Sequence, residues 1–146
     1  MTLPSRCHTR RWLLVLVLTL VLVPAAQAVE QPKADAHAFL SILMTEEWQP
    51  AFTSWLQASG LTAQDPQAAD KLAAQVQALR TRFGAPVGFE LAREQNLSDS
   101  LLRLIYVLRF RDRPVQWELV YYRAEADWKL LKLNTQVGFE LLLSKE

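Results

Sequence analysis

The chain has 146 residues, sixteen Lys and Arg against fifteen Asp and Glu, and a formal net charge of +1. That balance lacks the basic footprint of a nucleic-acid binder. One Cys, two His and four Gly leave no disulfide framework, no metal-ligand motif of known spacing and no glycine-rich phosphate loop.

The N-terminus reads as an export signal. "MTLPSRCHTRR" carries Arg6, Arg10 and Arg11 and no acid, and an apolar run follows from Trp12 to Val23, broken only by Thr19. Pro24 and "AAQA" supply the small residues of a cleavage site, so cleavage is expected after Ala28. The apolar run is about a dozen residues, short of the ~20 that span a bilayer as a helix. No stable membrane anchor is therefore expected once the signal is removed, and the protein is expected to be secreted or periplasmic. The paired Arg10 and Arg11 also fit twin-arginine export, so both routes stay open. Removing residues 1–28 takes three Arg and no acid. Thirteen basic residues then face fifteen acidic ones and the net charge becomes −2. Cys7 leaves too, so the mature chain has no thiol chemistry and must be held by its core. Residues 29–146 are long enough for a single domain.

Three helices are predicted next. "ADAHAFLSILM" sets Phe39, Leu40, Leu43 and Met44 along one face. Glu46 to Ala58 continues with Trp48, Phe52, Trp55 and Leu56, holds Pro50 in its first turns, and stops near Gly60. The third opens on Asp65 as N-cap with Pro66 behind it, runs through Ala69, Leu72, Val76, Leu79 and Phe83, and ends at Gly84, where a left-handed residue is wanted.

From Val87 the period changes to that of strands. "VGFELAR" alternates. Longer strands are predicted from about Leu101 to Arg111, from Val115 to Arg123, and from Trp128 to about Leu143 with a break near Gly138. Helices first and an antiparallel meander after them predict an α+β fold, with about three N-terminal helices on one face of a curved sheet of about four strands.

The register of the meander can be read in advance. With Asp112 and Arg113 as the turn, Phe110 meets Val115, Leu108 meets Trp117, Tyr106 meets Leu119 and Leu104 meets Tyr121. Arginines then alternate outward, and Arg109 becomes a diagonal neighbour of Glu118 on the solvent face. With Glu125 and Ala126 as the next turn, Tyr121 faces Leu130, Leu119 faces Lys132 and Trp117 faces Asn134. An unpaired Lys in a dry core would cost several kcal/mol, so this register poses a problem. One solution is a cleft mouth lined by Tyr106, Trp117, Tyr121, Lys132 and Asn134. The other is a bulge, or a Lys whose stem packs while its head reaches water.

"PVQWELVYYRAEADWKLLKL" after three helices resembles the cystatin-like or nuclear-transport-factor-like α+β cone. More narrowly, an export signal with "GFELAREQNLSDSLLRLIYVLRF" and "WELVYYR" resembles a family of short secreted bacterial proteins described as quorum-sensing-regulated virulence factors. That resemblance implies a secreted protein and brings no catalytic residues with it.

The chemical inventory favours binding over catalysis. His37 is the one His beyond the signal, and a general base needs a partner and an orienting group. Glu90 and Glu94 lie four apart on a predicted strand and would share a face, as solvated charge. No cofactor or metal is expected. The reading is a non-catalytic binding or interaction protein for a protein or a small apolar ligand. The alternative is a small cofactor-free lyase or isomerase using Tyr106, Tyr121 or Lys132.

Overall fold

The computed structural model describes residues 26–138 apart from Pro66. Residues 1–25 of the predicted signal and the predicted strand end at 139–143 lie outside them. Four helices come first: α1 (Ala26–Leu43), α2 (Trp48–Ser59), the single turn α3 (Leu61–Gln64) and α4 (Ala68–Phe83). Four strands follow: β1 (Pro86–Ser98), β2 (Leu101–Phe110), β3 (Pro114–Arg123) and β4 (Trp128–Gln136). They form one antiparallel sheet in sequence order, so the fold is α+β with its helices N-terminal to its strands.

The helices form where apolar spacing and end signals agree. Asp65 Oδ1 accepts a hydrogen bond from Gln67 N at 2.9 Å, closing an Asx turn ahead of α4; the N-cap is Gln67, with no side-chain capping bond, so the predicted Asp65 cap falls short of the helix start. Lys71 Nζ adds a 3.1 Å ion pair to the same carboxylate. The amide of Gln67 and then Lys71 hold the Asp65 carboxyl below its ordinary value. Gly84 ends α4 at φ 81° and ψ −170°, a backbone region that a side chain would strain. α1 starts earlier than predicted and holds Pro32 within it.

The core lies between the helices and one face of the sheet. Phe39 and Leu40 of α1, Phe52 and Leu56 of α2, and Val76 and Phe83 of α4 meet Leu104, Leu108, Trp117, Leu119 and Tyr121 there. Phe39 is its centre, stacked on Trp55 at 4.4 Å and edge-on to Trp117 at 5.2 Å.

The predicted faces of β2 and β3 hold, but their partners move by two residues. Arg111 and Asp112 are the turn, with Phe110 N donating to Arg113 O at 3.2 Å. Leu108 therefore meets Val115, Tyr106 meets Trp117, Leu104 meets Leu119 and Leu102 meets Tyr121. A shift of two keeps every side chain on its face, so alternation alone could not tell the two registers apart. The shift also separates Arg109 from Glu118.

The β3–β4 register follows the prediction only as far as Tyr121 opposite Leu130. One extra residue, Leu131, bulges out there, and beyond it Val120 meets Lys132 and Glu118 meets Asn134. β1 carries three such irregularities, between Pro86 and Gly88, Leu91 and Arg93, and Asn96 and Ser98. The second puts Glu90 beside Val107 on the outer face and Glu94 beside Leu104 on the inner one. The two carboxylates do not share a face.

Candidate functional site

The five residues predicted to line a cleft fall into two groups on opposite faces of the sheet. Tyr106, Trp117 and Tyr121 point toward the helices and are buried. Lys132 and Asn134 point the other way, placed there by the Leu131 bulge.

On the outer face Lys132 has a structural partner. Glu118 is 5% exposed. It takes Lys132 Nζ on one oxygen at 2.9 Å and Arg103 Nε on the other at 2.7 Å. Arg103 Nη1 also donates to Gln95 Oε1 at 3.1 Å, so one network ties all four strands together. Burial pushes the Glu118 carboxyl up, but the hydrogen bonds and charges of Lys132 and Arg103 outweigh it and the carboxyl titrates below its ordinary value.

On the inner face a cavity of about 300 Å³ opens beside Tyr121, between the start of α1, the end of α2 and the β3–β4 hairpin. Asp35 of α1 is its central polar group. Tyr121 Oη donates to Asp35 Oδ2 at 2.8 Å, and Trp55 Nε1 donates to Asp35 Oδ1 at 2.9 Å. Three elements distant in sequence thus converge on one carboxylate. Burial first, then the Asp35 charge and hydrogen bond, push the Tyr121 phenol far above its ordinary value, so it remains a protonated donor. Trp128 forms another wall. The Arg123 guanidinium lies 5.0 Å from its ring, and its buried Nε1 makes no hydrogen bond. Lys129 lines the cavity from an exposed position.

Asp35 was not singled out from sequence, although a signal existed. It precedes Phe39 by four residues, which puts a carboxylate on the apolar stripe of α1. Its partners could not be read, because Tyr121 is 86 residues away.

The other chemistry-bearing groups are dispersed. His37 packs edge-on against Phe89 at 5.0 Å, with Ser41 Oγ at 3.4 Å from Nδ1. Glu94 pairs with Lys33 of α1 at 2.8 Å. Burial, with the Glu94 charge behind it, raises the Tyr106 phenol. Among the described residues no group of three or more His, Cys, Asp or Glu could hold a metal ion, and no helix is long and apolar enough to cross a membrane. No family model, curated protein or solved structure matches this chain.

Proposed function

We propose that the chain is an exported, non-catalytic binding protein whose site is the Asp35 cavity. It takes a small ligand with an apolar body and a hydrogen-bond donor. One observation carries this reading: both oxygens of the Asp35 carboxylate are already engaged, by a phenol and by an indole that cannot give up their protons near neutral pH. Such a carboxylate is a fixed acceptor with lone pairs to spare, suited to orienting a ligand. Proton transfer would ask for a mobile partner. The cavity is at the low end of the ~300–1,000 Å³ of small-molecule sites. Export rests on the charged, apolar and small-residue order of residues 1–28. The likeness to secreted quorum-sensing-regulated virulence factors and to the cystatin-like cone agrees with a binding role and adds no catalytic group.

Native mass spectrometry of protein recovered from its exported fraction tests the reading. A bound small molecule should travel with the parent and be absent from Ala58→Trp, which fills the cavity from α2. Parent protein without a bound mass, or a mass retained by both, would remove the cavity as the site.

A further inference from the structure

The end of the β2–β3 hairpin lies at the other end of the sheet from Tyr121, with Arg109 on β2 and Arg111 and Arg113 in the connection. It is anchored by its backbone: Arg111 N donates to Ala85 O at 3.2 Å and Asp112 N to Phe83 O at 3.1 Å. Against it opens a second cavity, of about 460 Å³, walled by Val87, Val107 and Pro114 and lined by the three arginines. Glu90 and Asp112 are the acids of the lining, which leaves one positive charge in excess. Among the described residues none of these guanidiniums makes an ion pair, whereas Arg103 is tied to Glu118. Arg109 is also seated. A Cβ added at Gly88 would fall 2.5 Å from its Nη2, so the guanidinium lies against the β1 backbone in space that a glycine leaves open.

We propose that this cavity binds an anionic amphiphile: a small molecule with a carboxylate head for Arg109 and Arg113 and an apolar body for Val87, Val107 and Pro114. A planar guanidinium matches a carboxylate with two parallel hydrogen bonds, and less hydration has to be stripped from it than from an ammonium. Holding one guanidinium against the strand removes part of the ordering cost of capturing the head. The apolar wall gives the rest of the ligand a surface to cover, with Val87 itself largely exposed, and the volume lies within the small-molecule range. The site shares no residue with the Asp35 cavity and does not depend on its function.

Isothermal titration of the exported protein with decanoate, kept below its micelle-forming concentration, tests the proposal. Decanoate should bind saturably with one molecule per chain. Arg113→Gln and Gly88→Val should each weaken it by about tenfold or more, as the loss of a charge-assisted hydrogen bond does. Gly88→Val is the sharper variant, because it displaces Arg109 and leaves every charge in place. Should it melt below the parent, Arg109→Gln, an exposed change, takes its place. Decanol and acetate should both bind more weakly than decanoate, since each lacks half of what the cavity recognises. The proposal is overturned by absence of saturable decanoate binding, by decanol binding as tightly as decanoate, or by binding unchanged when Arg109 is displaced or neutralised.

Discussion

Trp117 and Arg109 show how differently two residues of one hairpin contribute. Trp117 is fully buried against Phe39, and Trp117→Ala should cost ~3–5 kcal/mol in urea melts, as a large aromatic lost from a packed core. Arg109 is exposed and without an ion pair among the described residues, so Arg109→Ala should cost under ~1 kcal/mol. Comparable losses would mean that the faces are exchanged. Lys132 had an ambiguous place in the sequence. With its head on the buried Glu118, Lys132→Met should destabilise by ~1–3 kcal/mol, because a buried carboxylate loses one of its two cations. A neutral result in the same melts would show that Arg103 alone satisfies Glu118. Tyr121→Phe should cost ~1.5–3 kcal/mol by removing a hydrogen bond to a carboxylate.

At the scale of elements, single inserted residues decide which side chains meet. Leu131 is exposed and pairs with nothing across β3, and because it bulges out Lys132 stays on the outer face. Deleting Leu131 should remove the bulge and leave Lys132 opposite Val120 on the outer face, so the variant should stay within ~1 kcal/mol of the parent in urea melts. A loss of ~3 kcal/mol or more would mean that the bulge itself supports the fold. Helix ends were more legible than strand registers. Asp65, Gly60 and Gly84 act locally, through one Asx-turn hydrogen bond and two positive-φ turns, and local chemistry is written in adjacent residues. The β2–β3 shift of two residues left no trace in the alternation, since both registers bury the same side chains.

At the scale of the whole molecule, the Glu118 network couples stability to pH. Its folded carboxyl titrates below its unfolded value, so its contribution is present above the ordinary glutamate range and is lost as pH falls through the lowered folded value. The stability gap between the parent and Glu118→Gln should therefore be wide near neutrality and narrow as the pH falls below the ordinary glutamate range. A gap that persists in acid would place its origin in packing. Processing belongs to the same scale. Cleavage of the proposed export signal should leave a chain that begins at Val29, with Pro32 in the first turn of α1, where its missing N–H is unused. Intact-mass measurement of exported material still carrying Met1 would contradict that.

By itself the sequence determined the α+β order, the two faces of the meander, the glycine helix stops, and the poverty of thiol and imidazole groups. Each of these follows from periodicity, local backbone preference or composition, which need no knowledge of distant neighbours. Only the tertiary structure decided that Asp35, Trp55 and Tyr121 converge, that Lys132 serves Glu118, and that Arg109 rests on Gly88. The physical reason is that a hydrogen bond or a bulge is a contest among alternative partners. That contest is settled by which elements pack together, and residues 35 and 121 meet only when α1 lies on the sheet.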